Sequence, residues 1–265
     1  MIRKILFISM WVTLVSGLIV TLGFAEKQES KLPCKAPRIS ISKDSDNDFI
    51  DEADIRDLMR SKGDSITGQP MGTVNVNRIE RLLYTNPWVR KADVFLSIDG
   101  QLQVNVEVRV PLVRIINNSG ESFYLDTEGK LMLWSPKYTP RVLVVSGNIP
   151  EQYNVWYTTS IADIKKSDTL SKTTSLDDIY TMAKFITRDP FWNSQVVQLK
   201  FNDAQNMELV PEVGNHTIIF GDTTDMKQKF EKLKIFYSEG LNHTNWNSYD
   251  TLNLKFNGQV VASKK

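Results

Sequence analysis

The sequence has little of the residue types that build cross-linked or metal-bound domains. Its 265 residues include one cysteine, Cys34, and two histidines, His216 and His243. A single cysteine excludes an intrachain disulfide, and these three residues are too few for a Cys/His zinc site. We therefore expect neither a disulfide scaffold nor a bound metal or cofactor.

The sequence also lacks an excess of charge of either sign. It has 32 Lys and Arg against 31 Asp and Glu, a formal net charge of +1. The first 25 residues contain Arg3 and Lys4 and no acid, so the remainder carries 30 basic against 31 acidic groups. A near-neutral body gives no electrostatic reason to bind nucleic acid. We expect no nucleic-acid partner.

The motifs of common catalysts are missing as well. There is no glycine-rich phosphate loop of standard spacing. A nucleophilic hydrolase needs a histidine base, but both histidines lie in Asn-His-Thr and are interpreted as surface or turn residues. A glycosidase pair meets only in space, and Asp126 with Glu128, or Asp177 with Asp178, has an ordinary role in a turn or at a helix start. We predict that the chain is not an enzyme.

One long run of the sequence has no charge. Residues 5–25 are 21 uncharged residues, which as an α-helix would span about 31 Å, close to the thickness of a hydrocarbon core. We predict a cytoplasmic tail at 1–4 and a transmembrane helix at 5–25. The alternative is a cleaved signal peptide, whose apolar region is normally shorter; both interpretations place the folded part outside the cytoplasm. The predicted anchor residues include Ile5, Trp11, Leu14, Leu18, Leu22 and Ala25.

After a linker at 26–37, the pattern predicts a β-α-α-β-β domain at 38–110. A strand over Arg38–Ile41 precedes a helix over Phe49–Lys62 with Asp51 as its N-cap, and a second helix is expected to start with Asn77 and Glu80 as a capping box. Two helices covering one face of a small sheet make a self-sufficient α+β layer.

The two strands that complete this domain give the clearest local signal. Apolar residues alternate with polar ones from Ala92 to Ile98 and from Leu102 to Val110. Asp99-Gly100 between them predicts a β-hairpin with a type I′ turn and one apolar face.

Residues 111–265 are predicted to form a mostly antiparallel β domain with two amphipathic helices, which makes the fold class α+β. The helices are expected over Leu176–Arg188 and Met226–Glu239. Four lysines of the second helix are expected to face outward: Lys227, Lys229, Lys232 and Lys234. Strands are predicted over Val113–Ile116, Phe123–Leu125, Lys130–Leu133, Arg141–Val145, Gln195–Phe201, Met207–Val210 and His216–Phe220.

The end of the chain is the best candidate for a binding surface. Leu252, Leu254 and Phe256 alternate with polar residues, Asn257-Gly258 predicts a turn, and Gln259–Ala262 predicts a closing strand. An edge strand pairs readily with an incoming strand because its backbone N–H and C=O groups are free. The alternative is that these strands only complete the sheet.

These elements together resemble the FtsQ/DivIB family of bacterial cell-division proteins. The similarity is densest in IERLLYTNPWVRKADVFLSIDGQLQVNVEVRVPLV, and it continues in FYLDTEGKLM and TLNLKFNGQVV. The pattern is similar to that of Bacteroidota members, which implies a single-pass protein of the inner membrane with a cytoplasmic N-terminus and a periplasmic ectodomain. Lys255 stands where the family has arginine, and lysine cannot make the same planar two-pronged contact.

The resemblance implies a POTRA domain at 38–110 and a scaffold function. Such a scaffold recruits and positions divisome partners of the FtsB/FtsL type by β-augmentation, and so helps to control septal peptidoglycan synthesis. Two alternatives remain, an anchored periplasmic cell-wall hydrolase and a POTRA-containing outer-membrane assembly or secretion factor. The predicted partner-binding residues are Leu252, Leu254, Lys255, Phe256, Asn257, Gly258, Gln259, Val260 and Val261.

Overall fold

The chain folds into two compact units, Met1–Val108 and Arg109–Lys265. Each unit has its own β-sheet and its own set of buried apolar residues. The structure, a computed structural model, describes residues 2–42, 47–62, 66–202, 206–240 and 246–264.

The first unit begins with a long helix, α1, at Ile2–Glu29. It contains the uncharged run, and the side chains of Trp11, Leu14 and Leu18 on it are more than half exposed. Within the described residues, none of the helices combines the length and apolar character required of a membrane span. The transmembrane assignment of residues 5–25 therefore stays a prediction.

The rest of the first unit has the predicted β-α-α-β-β order. In its described part the strands lie in the order β1-β3-β2, with β1 parallel and β2 antiparallel to β3. A 3₁₀ turn at Met71–Thr73 precedes the second helix of the layer. The elements are β1 Lys35–Ser42, α2 Glu52–Lys62, α3 Val76–Leu83, β2 Val89–Leu96 and β3 Gln101–Val108.

Helix α2 begins at the predicted cap. The Asp51 carboxylate accepts a hydrogen bond from the Asp54 N–H at 2.9 Å, and the Asp54 carboxylate accepts one from the Asp51 N–H at 3.0 Å. This reciprocal pair satisfies two backbone donors at the helix start. One turn later α2 buries Ile55 and Met59 against the sheet side of the layer.

The predicted capping box of the next helix was wrong. The N-cap of α3 is Asn75 rather than Asn77, because the Asn75 side chain accepts a hydrogen bond from the Arg78 N–H at 2.9 Å. Glu80 lies beyond the first turn and accepts a hydrogen bond from the Val94 N–H of β2 at 3.0 Å. Glu80 thus joins the helix to the sheet instead of capping it.

The predicted apolar face of the β2–β3 hairpin is confirmed for the strands. Val94, Val104 and Val106 are buried at 4% exposure or less. Ile98, which was assigned to the same face, is 81% exposed because it lies in the connecting loop, where strand alternation no longer applies.

The type I′ turn predicted for this hairpin was also wrong. A type I′ turn needs positive φ at both central residues, but Gly100 has a φ of 82° while Asp99 keeps a negative φ. The Ser97 N–H donates to the Gln101 carbonyl at 2.9 Å, and the Gly100 N–H donates to the Ser97 carbonyl at 3.0 Å. The connection is therefore a three-residue loop that ends in a left-handed glycine.

The second unit has its strands in three groups, β4–β7, β8–β10 and β11–β12, with helices between the groups. Its strands are β4 Pro111–Ile116, β5 Ser122–Asp126, β6 Leu131–Leu133, β7 Leu143–Gly147, β8 Val196–Phe201, β9 Met207–Pro211, β10 Thr217–Gly221, β11 Tyr249–Asn253 and β12 Val261–Lys264. Its helices are α4 Tyr153–Trp156, α5 Ile161–Lys166, α6 Asp168–Ser171, α7 Leu176–Arg188, α8 Pro190–Gln195 and α9 Met226–Ile235, and a π-helical turn at Phe236–Gly240 follows α9.

In the described part of this unit the strands form one large mixed sheet, in the order β12-β11-β10-β9-β8-β7-β4-β5-β6. The β4–β7, β7–β8 and β10–β11 pairs are parallel and the others antiparallel. Parallel pairs need long crossovers, and the segments before β7, β8 and β11 supply them. The sheet is thus more mixed than the mostly antiparallel one that the sequence predicted.

The helices that pack on the large sheet cover the core of the unit. Helix α7 has the predicted bounds and buries Ile179, Met182 and Ile186. Helix α9 ends at Ile235 instead of Glu239 because the chain widens into the π-helical turn. The ring centroid of Phe230 on α9 lies 4.8 Å from that of Trp192 on α8 and 4.6 Å from that of Phe185 on α7. Three helices therefore share one aromatic core.

A buried carboxylate fixes the turn between β5 and β6. One oxygen of Asp126 accepts hydrogen bonds from the Glu128 and Lys130 N–H groups at 2.9 and 2.8 Å. The other oxygen pairs with the Arg109 guanidinium at 2.8 Å, and the Asp126 side chain is 2% exposed. The turn role predicted for Asp126 is confirmed, and Arg109 is the partner that the sequence did not reveal.

A second buried carboxylate holds the start of α7. One oxygen of Glu151 accepts hydrogen bonds from the Thr174 hydroxyl at 2.7 Å, the Ser175 N–H at 2.6 Å and the Ser175 hydroxyl at 3.0 Å. Glu151 is 4% exposed. Its negative charge also lies at the positive end of the helix dipole.

We expect Glu151→Ala to destabilise the second unit by about 2–3 kcal/mol, because buried donors at the helix start lose a charged acceptor. Urea unfolding of the full chain measures the change. The matched control is Glu231→Ala on the exposed side of α9, which removes only a surface pair with Lys227 at 4.0 Å and should change stability by less than about 0.5 kcal/mol. Equal effects of the two substitutions would contradict the capping role of Glu151.

Candidate functional site

Strand β12 forms one edge of the large sheet. It pairs antiparallel with β11, with Leu252 opposite Ala262 and Thr251 opposite Ser263. In the part of the chain that the structure describes, no strand lies on the other side of β12. Strand β11 is held in turn by a short parallel ladder to β10, in which Thr217 is paired with Thr251.

The direction of the backbone groups in β11 follows from one hydrogen bond. The Leu254 N–H donates to the Ile219 carbonyl of β10 at 2.9 Å. Backbone groups of alternate residues in a strand point to the same neighbour, so Leu252 also points toward β10. Thr251 and Asn253 must therefore point toward β12.

The same alternation identifies the groups that β12 presents at the sheet edge. Val261 and Ser263, which lie opposite the β11 residues that point toward β12, form the hydrogen-bonded pairs of the ladder. Ala262 between them directs its N–H and C=O groups away from β11, whereas a register shift between Tyr249 and Thr251 places Lys264 opposite Tyr249. An incoming strand would meet the backbone of Ala262.

The predicted position of the closing strand was wrong by two residues. The turn at Asn257-Gly258 is confirmed, with a φ of 71° at Gly258, but the strand follows at Val261–Lys264 rather than Gln259–Ala262. Gln259 and Val260 are needed to bring the chain back beside β11, so they lie in the loop.

The predicted binding residues fall into two classes. Leu252 and Leu254 are fully buried and belong to the core, so they are not part of a surface. Phe256 and Val261 are 47% and 41% exposed. Lys255 lies in the loop, where its N–H donates to the Asn253 side chain at 3.0 Å.

Lys232 of α9 organises the loop that leads into β12. Its ammonium donates to the carbonyl oxygens of Leu254 at 3.1 Å, Phe256 at 2.6 Å and Gln259 at 3.4 Å. Burial lowers the pKa of Lys232, and the nearby charge of Lys229 lowers it further. The helical pattern gave no sign of this role, since it assigned Lys232 to the outward face.

Lys229 also departs from the predicted outward face. It is 8% exposed, and its ammonium donates to the Asp222 carboxylate and to the Asp222 carbonyl, both at 2.9 Å. This contact lowers the pKa of Asp222. Helix α9 is therefore fixed at both lysines to the end of β10 and to the C-terminal loop.

The family to which the chain belongs is given by comparison with known proteins. Residues 110–263 match the family model described as FtsQ/DivIB, C-terminal related, which covers more than half of the chain. The chain belongs to the FtsQ/DivIB family. Residues 32–107 match the model described as a POTRA-like domain. Among curated proteins, none matches the chain at a significant level.

The two matches confirm the resemblance seen in the sequence, and FtsQ/DivIB membership indicates a role in cell division. The FtsQ/DivIB-related region includes Lys232, β11 and most of β12. The candidate surface therefore belongs to the same region that defines the family.

The predicted anchor residues lie together on α1 of this FtsQ/DivIB protein. Ile5, Leu22 and Ala25 belong to the same helix as Trp11, Leu14 and Leu18, and these last three have 52–57% of their surface exposed. The structure thus places all six on one continuous helix.

The prediction of a surface or turn location was wrong for His216. This side chain is 3% exposed, and its Nε2 lies 2.9 Å from the Tyr237 hydroxyl oxygen. The apolar residues of β10 gave a signal that was missed, since His216 directly precedes a buried strand. His243 lies outside the described residues.

We expect Lys232→Met to loosen the loop at residues 254–260 while the sheet stays folded. Methionine keeps the length of the side chain but donates no hydrogen bond, so amide exchange in the loop should rise about ten-fold. Hydrogen exchange followed by mass spectrometry measures this. Lys227→Met on the exposed side of the same helix is the control, and a loop that exchanges equally fast in both variants would count against the role of Lys232.

Proposed function

We propose that the protein is a cell-division scaffold that captures an extended segment of an FtsB- or FtsL-type partner at β12. The observation that carries the proposal is the edge position of β12, where Ala262 directs its backbone groups away from β11. A strand added there gains main-chain hydrogen bonds, and side chains at alternate positions give specificity. FtsQ/DivIB membership supports the same function.

The surface beside this edge suits such a partner. Phe256 and Val261 offer exposed apolar area next to the strand, and Lys232 fixes the loop between them through three carbonyl groups. A fixed loop lowers the ordering cost of binding. The partner therefore meets a preformed edge.

The proposal includes an anchor at residues 5–25 in the inner membrane, with residues 1–4 in the cytoplasm and the two folded units in the periplasm. It is supported by the 21 uncharged residues and by the continuous helix α1 over them. From that position the protein would recruit and place the enzymes of septal peptidoglycan synthesis without catalysing a reaction itself.

Site-specific photo-crosslinking in dividing cells tests the proposal. A photoreactive residue at Val261 or Lys264 should give an adduct with a small membrane protein of the division machinery. The matched control is Leu133 on β6, the opposite edge of the sheet, where the side chain is 40% exposed. Adducts of equal yield from both edges, or none from β12, would overturn the proposal.

A further inference from the structure

The buried histidine lies where three segments of the second unit meet. His216 directly precedes β10, and its Nε2 is 2.9 Å from the hydroxyl of Tyr237 in the π-helical turn. On another side of the ring, Gly214 lies so close that a Cβ atom added to it would be 2.7 Å from His216 Nδ1. The ring therefore fills its site, with little room for a second arrangement.

The π-helical turn passes this contact on to the C-terminal hairpin. The Tyr237 ring lies 5.2 Å from the ring of Trp246, three residues before β11, and Phe236 makes an edge contact at 5.7 Å with Tyr249, the first residue of β11. Two adjacent aromatic residues of one turn thus hold the beginning of β11. Movement of Tyr237 would release its contact with Trp246 and displace the turn that also carries Phe236.

We propose that His216 makes the β11–β12 hairpin sensitive to acid, so that protonation of the buried ring loosens the hairpin and weakens its capacity to take a partner strand. The second half of this statement rests on the proposed function. The first half is a property of the fold alone.

The physical cause is the cost of a positive charge inside the aromatic cluster. Burial lowers the pKa of His216, and a weak contact with the Trp246 backbone only partly opposes this. In the neutral tautomer that carries its proton on Nδ1, Nε2 accepts a hydrogen bond from the Tyr237 hydroxyl, whereas the imidazolium would have to donate there. Protonation therefore costs energy in the folded state and reverses the hydrogen bond to the turn.

The direction of the pH dependence follows from the lowered pKa. Unfolded His216 binds its proton near the ordinary value of 6.5, while the folded form binds it at lower pH. The stabilisation is thus complete above 6.5 and is lost as the pH falls from 6.5 toward the folded pKa. Of the described groups that face the ring, Tyr237 is the titratable one, and burial raises its pKa, so it stays neutral throughout.

Hydrogen exchange of the full chain in nanodiscs at pH 7.5 and pH 5.5 tests the inference. After correction for intrinsic exchange rates, protection of peptides covering 249–264 should fall about five- to ten-fold at pH 5.5. Peptides covering β4 and β7 serve as the internal reference. In His216→Gln, which has no proton to gain, the hairpin should show the same protection at both pH values.

Two results would overturn the inference: constant protection in the wild type, or an equal fall in His216→Gln. Should the variant fail to fold, an NMR titration of the wild-type histidines decides instead, with His243→Gln to assign the second signal. A His216 pKa of 6.5 or higher would then refute the inference, and a lower one supports it. Partner capture measured at both pH values separates the role of His216 from capture at β12. If protection of the hairpin falls in acid while capture is unchanged, the role of His216 is supported and capture at β12 is refuted.

Discussion

Ala262→Pro is expected to weaken partner capture by about 100-fold or more while the β11–β12 hairpin stays formed. Proline removes the outward N–H of Ala262, and its ring obstructs the adjoining hydrogen bond, so the incoming strand loses about two hydrogen bonds. A ten-fold change in affinity corresponds to roughly 1.4 kcal/mol, so the loss of two such bonds lowers the affinity by about 100-fold. The hairpin is spared because proline is tolerated where its missing N–H points out of the sheet. Biolayer interferometry with the full chain and the partner ectodomain measures the affinity.

Two neighbouring substitutions make this result specific. Ala262→Ser keeps the backbone donor and should bind like the wild type. Ser263→Pro removes an N–H that points into the ladder with β11, so it should unpair the hairpin and increase amide exchange throughout 249–264. Unchanged affinity in Ala262→Pro, with the hairpin still protected, would show that capture does not use this edge.

The largest loss of stability is expected from Asp126→Ala. The substitution removes the carboxylate that pairs with the Arg109 guanidinium, whose side chain is 17% exposed, and removes the acceptor of two turn N–H groups. Breaking one side of a buried ion pair typically costs about 3–5 kcal/mol. We expect a loss of that size in the unfolding free energy of the second unit, measured by urea denaturation.

A double substitution separates the ion pair from the turn. Asp126→Asn keeps the one oxygen that accepts from both N–H groups and should lose less stability than Asp126→Ala. Arg109→Met combined with Asp126→Asn removes the half-buried positive charge that has lost its carboxylate, so it should be more stable than Asp126→Asn alone. If the loss of stability in the double variant equals the sum of the losses measured for Arg109→Met and Asp126→Asn separately, the contact between Arg109 and Asp126 contributes nothing to stability.

The features that the sequence predicted well are those that depend on neighbours in the chain. Helix α7 has its predicted bounds because its apolar residues repeat at helical spacing. The β2–β3 hairpin is recognisable because alternation marks its buried face over two adjacent strands. Asp51 and the Asn257-Gly258 turn act within a few residues of their own position, so local rules suffice for them.

The features that the sequence missed depend on contacts between distant segments. Lys232 has the spacing of a solvent-facing residue, and only the returning loop beside β11 supplies its three carbonyl partners. The register of β12 is set by where the loop rejoins β11, which no local pattern records. His216 is buried because the π-helical turn and Trp246 cover it, and Arg109 finds Asp126 through the pairing of β4 with β5.

The ladder between β10 and β11 also determines how the molecule opens. Strand β12 is attached to the sheet only through β11 among the described strands, and β11 is attached through three residue pairs beginning at Thr217 and Thr251. Such a unit can detach and reclose as a small cooperative segment, at a lower cost than global unfolding. A partner that binds the closed form draws this equilibrium toward closure in proportion to its concentration over its Kd. The hairpin would therefore open less often when a partner strand is bound to it than in the chain alone.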